Sequence, residues 1–176
     1  MTYTKDNFRN WFREPLETLF PKEHAGFPIM MITIPLLERY LRSKSGIFEA
    51  ASLSQPFYDK FRDMFPVFND HLDSEKRFWQ VFRHGIMHQA TLSLKNTPHI
   101  QMPGFGWLSG EVNMLEIKNG DIWVNPVSFS KHVLGTIEND FNIFLSVGAN
   151  SHPLPYGQSS SDGSYGTSGH ARKTTP

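Results

Sequence analysis

Apolar side chains recur at spacings of three and four residues along much of the chain, a pattern that predicts amphipathic helices. The first such set lies near the N-terminus and consists of Phe8, Trp11, Phe12, Leu16 and Leu19. We expect Pro15 to kink or break this helix, because proline has no N–H to donate to the preceding turn.

Two further helices are predicted downstream. The segment FPIMMITIPLLERYLRSKSG favours either a kinked helix from about Pro28 or a shorter one that begins near Pro35, and Gly46 lies just past its basic end. The next helix starts at Ser54, a good N-cap, and stops at Pro66. Its apolar positions are Phe57, Phe61, Met64 and Phe65.

A fourth helix begins in DSEKRFWQVFRHGIMHQATLSL, where Asp73 and Glu75 suit the electropositive end of a helix. On a wheel of about 100° per residue its apolar arc contains Phe78, Val81, Phe82, Gly85 and Ile86. The opposite arc is polar and contains Lys76, Arg77, Gln80, Arg83, His84 and His88.

After this helix the spacing of apolar residues no longer has the helical period. We expect a loop from residue 98 to 110, then two strands, 112–118 and 121–124, around Asn119-Gly120, which favours a type I′ hairpin closed by Pro126. A last helix is predicted over about 128–146, with Val133, Ile137, Phe141 and Phe144 on one side. The sequence therefore predicts a mainly α fold: a helical bundle with a β-hairpin inserted before the last helix.

The length of 176 residues argues for one domain with a proper core. We assign that helical domain to residues 1–147. Residues 148–176 are rich in Ser, Gly and Pro, and we expect them to be a mostly disordered tail, because such a composition buries too little apolar area to offset its ordering entropy.

Charge and cysteine content narrow the functional classes. The formal net charge is zero, which removes the global electrostatic case for a dedicated nucleic-acid binder but leaves room for one local site. The chain has no cysteine, so a disulfide framework and a thiolate zinc site are excluded. The most apolar run, FPIMMITIPLL, is too short to span a membrane, and the N-terminus lacks a signal-peptide pattern. We therefore predict a soluble, cytoplasmic protein without a membrane partner.

The stretch FRHGIMHQ, residues 82–89, concentrates an arginine, two histidines and a glutamine on the fourth helix. The plainest interpretation is a solvated helix face. A metal site is an alternative, since His84 and His88 have the i,i+4 spacing of paired ligands. It would need a third ligand, for which the sequence offers only His99 or Glu111 as guesses.

A third interpretation comes from a family resemblance. Arg83-His84-Gly85-Ile86-Met87-His88 resembles the motif of the HEPN superfamily (higher eukaryotes and prokaryotes nucleotide-binding), in which an Arg is followed by four to six residues and a His. In that superfamily the motif lies on a helix of a small bundle. The resemblance covers about residues 28–146, so it implies a HEPN-like core there.

The resemblance implies that the protein is a metal-independent endoribonuclease of a toxin or defence type. It also implies that the protein acts as a dimer in which the motifs of the two copies face each other. Arg83 would then supply a fixed cation and His88 a proton acceptor near neutral pH, with His84 as a further catalytic group. Gln89 and Lys95 are the expected substrate-binding residues. No cofactor or metal is required.

The implied partners are a second copy of the chain, RNA and an antitoxin protein. An α-helical wheel places Arg83 and His88 roughly 140° apart, which favours a site composed from two copies. Phe105, Trp107, Lys95 and Lys118 are candidates for a groove that holds stacked bases, although core or surface roles are the simpler interpretation of them. The competing class is a non-catalytic, dimeric helical interaction protein that uses the same polar helix face.

Overall fold

The computed structural model describes residues 3–47, 53–71, 73–86, 105–107 and 113–146, and for 84–86 and 105–107 it describes the backbone alone. Within these residues the chain is mainly helical, with a β-hairpin before its last two helices, as the sequence predicted. The described helices are α1 (Lys5–Phe8, Arg9–Arg13 and Glu14–Leu19 in succession), α2 (Gly26–Ser45), α3 (Gln55–Met64), α4 (Ser74–Trp79, continued by Gln80–Ile86), α5 (Pro126–Asn139) and α6 (Phe141–Leu145). The strands are β1 (Phe105–Trp107), β2 (Leu115–Lys118) and β3 (Asp121–Val124).

Helix α1 runs through Pro15 without interruption, so the predicted break at this residue is wrong. The helix begins with a capping box, in which Asn7 N donates to Thr4 Oγ1 at 3.3 Å and Thr4 N donates to Asn7 Oδ1 at 3.0 Å. Arg9–Arg13 is π-helical, and this wider turn is followed by Glu14 and Pro15, which open the next α-helical segment. It also shifts which side chains share a face, and Trp11, a predicted apolar position, is 41% exposed.

Helix α2 is continuous from Gly26, so the longer of the two predicted helices is the one that forms. Pro35 lies inside it and is exposed, as is Met31 one turn earlier, whose carbonyl Pro35 cannot bond. The backbone hydrogen bond that the proline removes is therefore lost on the water-facing side of the helix. Gly46 ends α2 with a left-handed φ of 68°, as expected of a glycine just past a helix.

The core between α3, α4 and α5 is built from aromatic rings. Phe61 lies 5.2 Å from Phe78 and 5.3 Å from Trp79 between ring centroids, and Phe65 stacks on Phe129 at 5.0 Å. These rings are almost fully buried, as are Phe57, Phe68 and Phe82. Ser54 and Pro66 bracket α3 as predicted, and Pro66 starts a short 3₁₀ turn, Pro66–Phe68.

The three strands form one sheet in the order β1-β3-β2. Strands β2 and β3 are antiparallel, and Asn119 (φ 54°) and Gly120 (φ 83°) both have the positive φ of the predicted type I′ turn. Strand β1 lies within the segment predicted to be a loop and pairs in parallel with β3, Phe105 opposite Ile122. The loop prediction for 105–107 is therefore wrong, because a three-residue strand paired with a distant segment leaves no local periodic signal.

The last predicted helix is two helices, and the first begins earlier than expected. Asn125 Oδ1 accepts N–H groups from Val127 at 3.1 Å and Ser128 at 3.0 Å, so Pro126 opens α5 instead of only closing the hairpin. The helix breaks at Asp140 before α6. The predicted inner face is confirmed, since four positions are buried: Val133, Ile137, Phe141 and Phe144.

Candidate functional site

Arg83 lies on the second half of α4, where the backbone is π-helical from Gln80 to Ile86. The inner side of this segment is fixed by Val81 and Phe82, both buried in the core. The wheel of 100° per residue therefore does not describe this part of the helix, because hydrogen bonds from i to i+5 place more residues in each turn. The predicted angle of 140° between Arg83 and His88 is not valid through residue 86.

An ion pair with α2 holds the Arg83 side chain. Arg83 Nε donates to Glu38 Oε2 at 2.9 Å, and Arg42 Nε donates to the other oxygen, Glu38 Oε1, at 2.8 Å. Glu38 is therefore shared between two guanidinium groups, one of which, Arg42, is almost fully buried. Two cations on one carboxylate leave the group of three with a net positive charge.

The Arg83 side chain remains 35% exposed. Its contact with Glu38 uses Nε, and within the part of the chain that the structure describes its two Nη atoms make no hydrogen bond. A guanidinium offers its donors in a planar fork that matches two oxygens of a phosphate or carboxylate. Arg83 is thus oriented by one edge while another edge is available to an anion.

Helix α3 packs against α4 in the opposite direction, as two contacts along their length show. Arg62 Nη1 donates to Glu75 Oε1 at 2.8 Å, and about one and a half turns earlier on α3 the Phe57 ring lies 4.9 Å from Trp79. Glu75 is only 3% exposed, so the ion pair with Arg62 is largely shielded from water. Residues earlier in α3 therefore lie beside residues later in α4, in the direction of Arg83.

Tyr58 follows Phe57 on α3 and lies near the charged groups of α4. Burial raises the pKa of its phenol, Lys76 and Arg83 lower this pKa and Glu75 raises it. The ring is partly buried against the core, and its hydroxyl makes no hydrogen bond to any residue that the structure describes. The charges of Lys76, Glu75 and Arg83 thus act on a phenol that is only partly buried.

Of the other predicted site residues, the structure describes only the backbone of His84. The backbone of His84 directly follows Arg83 on α4, whereas His88, Gln89 and Lys95 lie outside the described residues. The guessed metal ligands His99 and Glu111 lie outside them as well. Within the described ranges, no three His, Asp or Glu side chains are grouped so as to hold a metal ion.

The proposed base-stacking groove is placed only in part. Phe105 and Trp107 belong to β1, Lys118 is exposed at the end of β2, and Lys118 forms an ion pair with Glu116 on the same strand. The sequence analysis did not identify Glu38, Arg42 or Tyr58. Glu38 and Arg42 have the i,i+4 spacing of a helical ion pair, but nothing in the sequence connects either to Arg83.

A second polar cluster joins α2 to the break between α5 and α6. Tyr40 Oη donates to Asp140 Oδ2 at 2.6 Å, and Lys44 Nζ donates to Tyr40 Oη at 2.7 Å and to Asp140 Oδ2 at 3.1 Å. The hydrogen bond from Tyr40 and then that from Lys44 lower the pKa of Asp140. Both partners of the Lys44–Asp140 pair are 37% exposed, and a shallow depression of about 240 Å³ adjoins Asp140. The cluster fixes the helix break to α2.

No family model matches the chain, and neither a curated protein nor a solved structure is significantly similar to it. No helix in the described part of the chain has both the length and the apolar character needed to cross a membrane. The fold and site together define a mainly α protein with an inserted hairpin and an arginine held between two of its helices.

Proposed function

We propose that this chain is a metal-independent endoribonuclease in which Arg83 stabilises the negative charge that develops on a phosphate and His88 accepts the proton of the ribose 2′-OH. The observation that carries this proposal is the ion pair between Arg83 and Glu38 at 2.9 Å. It orients a partly exposed guanidinium before any substrate arrives. Preorganised donors of this kind make the largest single contribution to transition-state stabilisation in many enzymes, since they need no rearrangement during the reaction.

The proposed reaction is an intramolecular attack on phosphorus. The 2′ oxygen forms a bond to phosphorus while His88 takes its proton, and the bond from phosphorus to the 5′ oxygen of the next nucleotide breaks. That oxygen takes up a proton from water or from a protonated histidine. The products are a 2′,3′-cyclic phosphate and a 5′-OH end, and Arg83 keeps its charge throughout, because guanidinium is not deprotonated in proteins.

A homodimer completes the proposal, with the motifs of two copies facing each other. Because the α-helical wheel does not hold through the π-helical segment, this step rests on the resemblance to the HEPN superfamily alone. The dimer has a direct test: light scattering after size exclusion should give about twice the chain mass of 20.2 kDa. A monomer at micromolar concentration would contradict a site shared between copies. An antitoxin partner belongs to the same proposal and would be detected as a second protein that blocks cleavage.

The activity is tested with single-stranded RNA in EDTA. Arg83→Ala should lower the rate on the order of a hundredfold, the effect of losing a donor to a developing oxyanion, and His88→Ala at least as much. Arg83→Lys should recover only part of the rate, since lysine keeps the charge but not the planar fork. Arg9→Ala is the matched control: Arg9 also pairs with a glutamate, Glu138 at 3.3 Å, on a different part of the molecule.

Two results would overturn the assignment. The first is purified protein that leaves RNA uncut in EDTA at every pH between about 5 and 9, the range in which a histidine changes charge. Alternatively, cleavage that survives both Arg83→Ala and His88→Ala would identify a contaminating nuclease. Product analysis separates a further case, because ends without a cyclic phosphate would mean that the 2′-OH is not the nucleophile.

A second candidate is a non-catalytic, dimeric interaction protein. The ion pair between Arg83 and Glu38 favours it, since an arginine paired with a carboxylate on a neighbouring helix is also a common structural element. In that case Arg83→Ala should weaken self-association while the wild-type protein leaves RNA intact. The cleavage assay and the light-scattering measurement together distinguish the two functions.

A further inference from the structure

The Glu38 carboxylate is held at both of its oxygens, once from its own helix and once from α4. Arg42 Nε donates to Glu38 Oε1 at 2.8 Å, and Arg83 Nε donates to Glu38 Oε2 at 2.9 Å. Arg42 follows Glu38 by four residues on α2, the spacing at which side chains on one helix face are neighbours. Because Arg42 restrains one oxygen, the other oxygen has a fixed position for Arg83.

From these contacts we infer that Arg42 is a positioning residue for Arg83. It fixes Glu38, and Glu38 in turn fixes the guanidinium that is proposed to stabilise the phosphate. Arg42 itself does not touch the substrate. The catalytic consequence rests on the proposed ribonuclease function, whereas the series of contacts from Arg42 to Glu38 to Arg83 does not.

Burial decreases along this series of contacts. The side chain of Arg42 is 5% exposed, that of Glu38 17% and that of Arg83 35%. A partly exposed ion pair between two flexible side chains holds one geometry weakly on its own, because ordering both chains costs entropy. The Arg42–Glu38 contact is the one that water screens least, so it supplies the restraint on the more exposed contact with Arg83.

Arg42 also changes the charge around Glu38. A pair of Arg83 and Glu38 alone would be neutral, whereas the three groups together carry a net positive charge. The carboxylate is then shared between two cations, and Arg83 is compensated less completely than in an isolated pair. The phosphate gains negative charge in the transition state, so the remaining positive charge matters most at that point.

A purely structural role for Arg42 would have different consequences. An arginine that only stabilised α2 would affect the melting temperature and leave the Arg83 side chain unchanged. Positioning instead predicts a change at Arg83 Nε, whose hydrogen bond to Glu38 protects its proton from exchange with water.

The experiment compares the wild-type protein with Arg42→Met, which keeps an apolar chain and removes the cation. Two quantities are measured: kcat and KM on single-stranded RNA in EDTA, and the rate at which the Arg83 Nε–H exchanges with water. The exchange rate comes from NMR, and the signal is assigned by its absence from Arg83→Lys.

We expect Arg42→Met to lower kcat on the order of tenfold, because a misplaced donor stabilises the transition state less. KM should change by about twofold or less, since the additional negative charge that Arg83 stabilises appears only in the transition state. The Arg83 Nε–H should exchange several times faster than in the wild-type protein.

Two further substitutions of Arg42 support the comparison. Arg42→Lys should recover part of the lost kcat, since a lysine at this spacing can still donate to Glu38. If Arg42→Met does not fold, Arg42→Gln replaces it, because the neutral amide can also donate to Glu38. A smaller change in the same direction is then expected, and wild-type values would contradict the inference.

Arg13→Met is the matched control. It makes the same substitution at another carboxylate that two arginines share: Glu138 is contacted by Arg13 at 2.8 Å and by Arg9 at 3.3 Å. This variant should keep the wild-type kcat and KM, and the exchange rate of the Arg83 Nε–H should not change.

The outcomes separate the two proposals. If wild-type protein cleaves RNA and Arg42→Met keeps the wild-type kcat, or loses kcat with unchanged exchange at Arg83, the positioning role is wrong and the ribonuclease stands. If wild-type protein leaves RNA uncut but Arg42→Met speeds the exchange, Arg42 positions Arg83 and the ribonuclease is wrong. If neither cleavage nor a change in exchange is seen, both are wrong.

Discussion

Tyr3 places a hydroxyl in the core without a partner among the described residues, which is costly because a buried polar group loses its hydrogen bonds to water. Its ring lies 5.6 Å from Trp11 and 5.8 Å from Phe141, so apolar packing outweighs that cost. Burial raises the pKa of this phenol to about 12, against the opposing charge of Arg39.

Tyr3→Phe should therefore raise the free energy of unfolding at pH 7 by roughly 0.5–1 kcal/mol, since it removes an unpaired oxygen and keeps the ring. In the wild-type protein the folded-state pKa of Tyr3 lies above the unfolded value of 10. Ionisation of this phenol therefore does not affect stability below pH 10, but it favours the unfolded state as the pH rises from 10 toward 12. Urea unfolding at pH 7 and pH 11 should show the smaller loss in the variant. Tyr40 and Tyr58 also have raised pKa values but occur in both proteins, so the difference isolates Tyr3. A variant less stable at pH 7 would mean that the hydroxyl has a partner.

The sequence identified Arg83 as a candidate because a motif has fixed spacing along one helix. It did not identify Glu38, since that contact joins residues 45 positions apart and depends on how α2 packs against α4. Tyr58 was missed for the same reason: no periodicity distinguishes it from the core aromatics around it. Local spacing predicts which residue types occur together, whereas tertiary packing decides which of them meet.

Among the elements, α1 and α4 depart from the 3.6-residue period on which the sequence analysis depended. Each contains a π-helical segment, Arg9–Arg13 in α1 and Gln80–Ile86 in α4. The apolar pattern located both helices correctly, because buried rings such as Phe8 and Phe82 still face the core. It did not predict which side chains share a face: Trp11 is exposed, and the angle assigned between Arg83 and His88 does not hold.

The contact between α3 and α4 includes the largely buried ion pair Arg62–Glu75. Arg62→Met should cost about 3 kcal/mol of unfolding free energy, because it leaves the Glu75 carboxylate buried without its cation. The double variant Arg62→Met, Glu75→Leu should recover most of this loss, since a buried ion pair is often replaceable by apolar side chains.

Lys60→Met provides the control for that measurement, made by chemical denaturation at pH 7. Lys60 also pairs with a carboxylate, Asp63 at 2.8 Å, but both groups are well exposed, so its loss should change stability by about 0.5 kcal/mol or less. Equal costs for Arg62→Met and Lys60→Met would show that Glu75 does not need Arg62 to remain buried.

For the molecule as a whole, the boundary of the folded domain remains a prediction from composition. Deleting residues 151–176 should lower the melting temperature by less than about 5 °C, because the sequence of that segment has no apolar periodicity that would predict core packing. Thermal unfolding of the shortened and full-length chains, followed by circular dichroism, makes the comparison. A larger decrease would place part of this segment in the folded core.

The strand order β1-β3-β2 has a consequence for synthesis on the ribosome. The central strand, β3, is the last of the three to be made, and among the described residues it is the strand with which β1 pairs, Phe105 opposite Ile122. The hairpin of β2 and β3 is local and can close within microseconds of leaving the exit tunnel. Strand β1 emerges first but has no partner in the sheet until Val124 has also emerged. Nascent chains that stop short of β3 therefore carry an unpaired strand, and the sheet is completed by its earliest segment.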